Sequence, residues 1–256
     1  MMSLPCLMIL EQIRSSVIFA AIVLHKPTIL ARPEWKTVPW ALHPERIDQG
    51  KLLFDILSDC PELFVLRDRL SAIQDQCERS SAVKNLAAQA RLILHNLDQW
   101  DQIWTSDLSH ECIEAPSPPS TPTYVDLNGQ TVPLWSTILQ YESLHHSNLL
   151  TVYNGALVLV LRFILDIDIK CTDGDYLQSR MYEAGIIICR SVEYHYRQSS
   201  GDQGGFFLLF PLRMAYDAVG RSNAAIERWL KVVLDDIATG RRGMWRSAKT
   251  LLEIGS

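Results

Sequence analysis

The chain has 256 residues, 48% of them apolar, with 24 basic against 29 acidic side chains and a net charge of −5. That length and apolar content permit one large helical domain or two small ones around a substantial core. The charge balance provides no global field that would draw the chain onto nucleic acid or an anionic membrane, which counts against direct DNA binding by this chain alone. The six cysteines (Cys6, Cys60, Cys77, Cys112, Cys171 and Cys189) have no paired spacing and there is no Asn-x-Ser/Thr acceptor, so reduced thiols in an intracellular compartment are expected.

Apolar residues at Met2, Cys6, Ile9, Ile13, Val17, Ala20 and Leu24 recur every three to four positions and make one face of a helix that Pro27 ends. The segment lacks the basic start of a signal peptide, and Glu11 and Arg14 interrupt it. The initiating Met sits directly at the start of this helix without a cap, as expected of a chain that begins inside something larger. Residues 32–44, with three prolines, Trp35 and Trp40, read as an extended connector whose indoles plug gaps between helices. Leu52, Leu53, Ile56 and Leu57 predict a short helix ended by Pro61. The stripes Leu63, Leu66, Leu70, Ile73, Cys77 and Val83, Leu86, Ala90, Leu94, Leu97, Trp104 predict two antiparallel helices joined near Arg79–Ala82 and packed within the chain rather than as a coiled coil.

The segment 112–133 carries Pro116, Pro118, Pro119, Pro122 and Pro133 and an Asn-Gly pair, and reads as an internal loop or linker between two helical halves. Helices follow from Leu134 to about Asp166 and from Tyr176 to about Tyr196. The apolar run Leu149–Leu165, broken by Asn154 and Arg162, reads as a core helix shorter than the roughly 20 residues of a membrane span. Gly204–Arg221 is expected to form a buried helical hairpin with Phe206, Phe207, Leu209, Phe210, Leu212 and Met214 in the core. Pro211 starts or kinks a helix there, and Arg213 needs a polar partner. A last helix runs from Ile226 to about Ala238, with Ile226, Trp229, Val233 and Ile237 on one face. Alternating strand patterns and fixed-period repeats are missing. The expected fold is all-α: a single domain over 1–256, an irregular multi-helix bundle of antiparallel helix pairs with a Pro-rich loop in the middle.

Candidate chemistry dissolves on inspection. Gly201-Asp-Gln-Gly204-Gly205 lacks the spacing and lysine of a phosphate loop and reads as a turn. His110-Glu111 has no second histidine, and adjacent His145 and His146 point to different faces of a helix, so neither pair suits zinc. Ser81-Ala-Val-Lys84 has the spacing of a serine with an activating lysine but no companion motif, and Ser80 or Ser81 reads better as a helix N-cap. Asp166, Asp168, Asp173 and Asp175, and Asp235-Asp236, lack the arrangement of metal-bridged diphosphate chemistry. Arg241, Arg242, Arg246 and Lys249 read as a solvated, favourably placed C-terminal helix face. The chain is therefore expected not to be an enzyme, with no catalytic, cofactor-binding, metal or DNA-binding residues and no cofactor.

Three stretches resemble the helical regulatory domain that follows the DNA-binding module of fungal zinc binuclear cluster transcription factors, the six-cysteine class, particularly members linked to secondary-metabolite gene clusters. They are Glu34–Trp40 with Asp55–Pro61; Ala184–Tyr194; and Phe207–Tyr216 leading to Glu227–Leu230. The binuclear cluster itself is missing, because no two cysteines lie closer than Cys60 and Cys77. The resemblance implies a transcription-regulating domain, truncated or free-standing and unable to bind DNA alone. It further implies a nuclear location, partners in the transcription machinery or a homodimer partner, a small-molecule effector, and no membrane. The alternative reading is a helical binding module for a small apolar ligand or a protein partner, with its cavity between the Leu149–Leu165 helix and Gly204–Arg221.

Overall fold

A computed structural model describes residues 3–107, 112–119, 121–126, 128–168, 172–198, 203–220 and 222–239, with the side chains of 203–206, 238 and 239 excepted. The chain divides into two compact units: Met1–Ser106 with Val160–Gly174, and Asp107–Leu159 with Asp175–Ser256. It is mostly helical, with a small strand part made of two antiparallel pairs.

In the first unit, α1 (Leu4–Val23) opens with Pro5 in its first turn, where a missing N–H costs nothing. Residues 32–44, expected to be extended, instead belong to a chain of tight helical turns: a 3-10 turn at Ile29–Ala31, α2 (Pro33–Thr37), and 3-10 turns at Val38–Trp40 and Pro44–Arg46. Each proline there sits at the start of a turn, where its fixed φ favours helix rather than breaking it. The Asp48 side chain caps α3 (Gln49–Leu57) by accepting from Lys51 N at 2.7 Å, and Pro61 opens α4 (Cys60–Arg69).

The junction expected at Arg79–Ala82 lies earlier. A 3-10 turn at Leu70–Ala72 ends the first stripe, and α5 then runs unbroken from Gln76 to Ser106. Asp75 accepts from Glu78 N at 2.7 Å and takes the capping role assigned to Ser80 or Ser81, both of which lie inside the helix. Arg79-Ser-Ser-Ala82 contains neither Gly nor Pro, and serine lowers helix propensity too little to break a helix that packing holds. Leu86, Ala90, Leu94, Leu97 and Trp104 are buried as the stripe predicts, and Ile93 and Trp100 join them.

In the second unit, β1 (Ile113–Pro116) pairs with β4 (Thr137–Gln140), and β2 (Thr123–Val125) pairs with β3 (Thr131–Pro133). This corrects the reading of 112–133 as loop alone and of 134–143 as helix. The β2–β3 turn is built by Asp126, whose carboxylate accepts from Asn128 N at 2.9 Å and Gln130 N at 2.8 Å, and by Gly129 at φ 76°. Helix α6 (Leu144–Ile167) starts ten residues later than expected and passes from the second unit into the first. Both α1 and α6 are long and apolar enough to cross a membrane by length and composition, but α6 has 67% of its most apolar window buried, as a core helix does.

Helix α7 (Gly174–Gln198) is followed by α8 (Gln203–Ala215), then a π turn at Tyr216–Gly220 and α9 (Ala224–Thr239). The expected hairpin at Gly204–Arg221 is thus one helix running into a π turn, with Pro211 inside it. Wide π turns supply slack where a helix is strained, and proline removes one amide from the ladder. Of the expected core residues, Phe210 and Leu212 are buried, while Phe207, Leu209 and Met214 are half-buried; Leu208, not singled out in the sequence, is fully buried, and the side chain of Phe206 lies outside the described set. Asn223 caps α9 by accepting from Ala225 N and Ile226 N at 3.0 and 3.2 Å.

The second unit's main core joins Ile188, Cys189 and Val192 of α7, Leu208, Leu212 and Ala215 of α8, Val219 of the π turn, and Ile226, Leu230 and Val233 of α9. Two glycines set its close approaches. A Cβ on Gly155 would lie 3.0 Å from Phe210 Cε1, and one on Gly185 would lie 2.8 Å from Val219 Cγ1 and 2.9 Å from Ala218 Cβ. Gly185→Ala is expected to destabilise the protein by about 1–3 kcal/mol, the usual cost of overpacking. Gly174→Ala, whose methyl would meet only Leu165 Cδ2 at 3.9 Å, is the control expected to stay near wild type, and urea unfolding of both variants measures the difference.

Candidate functional site

The polar side chains of the second unit converge on the C-terminal half of α7, within the Arg190–Tyr194 motif that carries part of the resemblance. From Ala184 to His195 no residue is fully exposed, and the buried Ser191 and His195 need partners for their polar groups. Arg190 donates from Nε to the Thr137 carbonyl at 2.9 Å and from its guanidinium to Thr137 Oγ1 at 2.6 Å, and reaches Glu114 at 2.9 Å. One side chain thereby holds both strands of the β1–β4 pair against α7. Arg190 and Thr137 also hold the exposed Glu114 carboxyl below its ordinary pKa.

At the next residue, Ser191 Oγ bonds the Tyr141 hydroxyl at 2.5 Å and lies 2.7 Å from the Ile187 carbonyl. Tyr141 and Tyr194 meet edge to face, 5.2 Å between ring centres. Burial pushes the Tyr141 hydroxyl and the Cys189 thiol well above their usual ranges. At the end of the cluster, His195 Nε2 lies 2.7 Å from Ser147 Oγ, with both residues fully buried. Nδ1 of His195 is buried without a hydrogen bond, and burial pushes the imidazole pKa down to about 4.

A serine hydroxyl beside an imidazole is the spacing of a nucleophile and its base. Here both partners are fully buried, and no orienting group engages Nδ1, so the pair acts as an internal hydrogen bond between α6 and α7. Neither Ser147 nor His195 stands out in the sequence: they are 48 positions apart and belong to no motif.

The first unit contains the Glu34–Trp40 and Asp55–Pro61 stretches, and they meet. Trp40 is 2% exposed and packs against two cations, Arg14 Cζ at 5.0 Å and Lys51 Nζ at 4.9 Å from its ring centre. Arg14 and Lys51 both bond Asp55, and Arg14 also donates to the Lys51 carbonyl at 3.1 Å. Lys36 pairs with Asp59 at 2.6 Å, which ties Glu34–Trp40 to Asp55–Pro61. Burial raises the Asp59 carboxyl above its ordinary value despite Lys36 and pushes the neighbouring Cys60 thiol up to about 12. Paired, desolvated charges packed on an indole serve architecture better than exchange of protons.

The remaining sequence candidates are dispersed. His145 is exposed, and half-buried His146 approaches Glu142 at 3.2 Å. Asp173 and Asp168 face Arg91 at 3.0 and 3.7 Å, and Asp166 lies 3.9 Å from Arg162. Asp175 is in the first turn of α7, and Asp235 and Asp236 are exposed on α9. Arg213 has Asp217 at 3.8 Å and the Tyr216 ring at 5.7 Å. His110-Glu111, Gly201-Asp202, Cys171 and the basic set Arg241, Arg242, Arg246 and Lys249 lie outside the described residues. No group of three or more metal-ligating side chains occurs among the described residues. The chain matches no protein-family model, no curated protein and no solved structure.

His195 has a definite pH consequence. With a pKa near 4 folded and about 6.5 unfolded, the unfolded chain binds the extra proton between those values, so stability falls as pH drops from about 6.5 to 4 and is flat for this group below that. The full loss is on the order of 3 kcal/mol. Denaturant unfolding at a series of pH values is expected to show this slope in the wild type and a shallower one in His195→Gln.

Proposed function

We propose that the chain is a regulatory domain of the fungal zinc-cluster transcription-factor type, acting on transcription through protein partners and relying on another DNA-binding module for its target. The observation that supports this reading is how the resemblance stretches are used. Ile188, Cys189 and Val192 from one pack in a single core with Leu208, Leu212 and Ala215 from the next and Leu230 from its continuation. From the other pair, Trp40 and Asp55 meet through Arg14, and Lys36 pairs with half-buried Asp59. An order of motifs whose members pack on one another is a constraint of shared architecture rather than a chance of composition. Secondary-metabolite control and nuclear residence belong to the same proposal and rest on the resemblance.

The small-ligand alternative placed a cavity between the Leu149–Leu165 helix and the Gly204–Arg221 block. At Gly155 that contact is closed by Phe210 and Pro211, so no specific observation favours it.

Tethering tests the regulatory reading. Fused to a heterologous zinc-cluster DNA-binding module in a fungal reporter strain, the chain is expected to change transcription several-fold over the module alone, in either direction, while the unfused chain leaves the reporter unaltered. A fusion that is expressed, folded and bound to the promoter yet without effect would count against it.

A further inference from the structure

The apolar stripe that the sequence assigns to one face of α1 is the face turned to solvent. Cys6, Ile9, Ile13, Val17, Ala20 and Leu24 are all exposed, Ile9 by 57%, Ile13 by 48%, Val17 by 39% and Leu24 by 54%. The face packed into the first unit is a different one, formed by Leu7, Leu10, Arg14, Ile18, Ala21 and Ile22. No exposed residue from Ser3 to Leu24 carries a charge: Arg14 is buried on Asp55, and half-buried Glu11 is held by Arg46 at 2.8 Å. The helix is apolar on both sides, and one side is left uncovered by the described residues.

The geometry points to a second copy of this chain as the occupant, docked antiparallel along α1. Steps of 3, 4, 4, 3 and 4 residues average the period of a straight helix, so the stripe runs parallel to the axis for about 27 Å. The stripe is also close to palindromic about Ser15. A two-fold axis at that level sets Cys6 opposite Leu24, Ile13 opposite Val17, and Ile9 opposite Ala20, small against large in both outer layers. Self-complementarity of this kind is what an isologous interface requires, and antiparallel helices also align their dipoles favourably.

A membrane fits the same surface less well. Helices that lie in a bilayer interface carry lysine and arginine on the polar face, whereas the only basic residue of α1, Arg14, is buried. A spanning role would strip Arg14 from Asp55 and the Lys51 carbonyl. A stripe about 27 Å long on a helix about 10 Å across covers a few hundred Å², the range in which apolar patches become functional. It falls short of the roughly 800 Å² per partner of standard interfaces. The dimer is therefore weak and reversible, with Kd on the order of 10 μM. This inference is independent of the regulatory reading.

Sedimentation equilibrium of the full chain up to about 100 μM, well above that Kd, tests it. The expected result is a reversible monomer–dimer equilibrium that Ile13→Glu and Ala20→Glu each weaken at least tenfold with helical circular dichroism unchanged. In a Cys77→Ser background, Leu24→Cys is expected to let a short bis-maleimide join Cys6 of one copy to position 24 of the other. A monomer throughout, or a dimer indifferent to both glutamates, overturns the proposal. So does cross-linking through Cys6 alone, which marks a parallel pair, or a monomer that co-sediments with phosphatidylserine vesicles, which assigns the face to lipid.

Discussion

Helix α7 has no fully exposed residue between Ala184 and His195, and the second unit is arranged around that constraint. A helix covered to this extent must hide apolar side chains in more than one direction while matching the polar groups it buries. One side of α7 meets both demands with Ile188, Cys189 and Val192 against α8, the π turn and α9. The other meets them with Arg190 on Thr137 and Glu114, Ser191 on Tyr141, and His195 on Ser147. Removing the Ser191 hydroxyl would strand the buried Tyr141 hydroxyl, and removing that of Ser147 would strand His195 Nε2, where an unmatched hydrogen bond costs about 1–3 kcal/mol. The strand pair β1–β4, set in a segment that reads as loop, is thus held in place by Arg190.

The first unit solves a similar problem with charge. Asp55 receives both Arg14 and Lys51, and the Trp40 ring packs against both cations. Buried ion pairs of this kind contribute little net stability over an apolar equivalent but are costly to break singly. They fix which surfaces of α1 and α3 meet, and by doing so they decide which face of α1 is left over. The exposed Ile9–Ile13–Val17 stripe follows from Arg14 being drawn inward.

Much of the helical plan is legible in the sequence because apolar periodicity reports burial directly. The buried residues of α5, and α9 with its face at Ile226 and Val233, follow from it. Three things are not legible. Strands of three or four residues among prolines carry no alternation, so the β1–β4 and β2–β3 pairs escape a periodicity test. A periodic stripe says that a face is apolar, not that it is covered, which is why α1 turns its clearest stripe outward. Long-range polar pairs leave no local signal: Ser147 and His195, or Arg14 and Asp55, become partners only when the helices carrying them pack. The same limit explains why residues that resemble a family motif prove to be framework. In Ile188–Tyr194, what looks like a signature is the set of side chains that packs one helix against two groups of neighbours.

Amide hydrogen exchange of the full chain, followed by mass spectrometry, tests that account most directly. If α7 is the element on which the second unit depends, the amides of Ala184–His195 exchange slowest in that unit, at rates set by its complete unfolding, and Arg190→Ala accelerates both them and β4 together. Exchange in Ala184–His195 as fast as in the exposed turns of α9, or an Arg190→Ala effect confined to the strands, would contradict it.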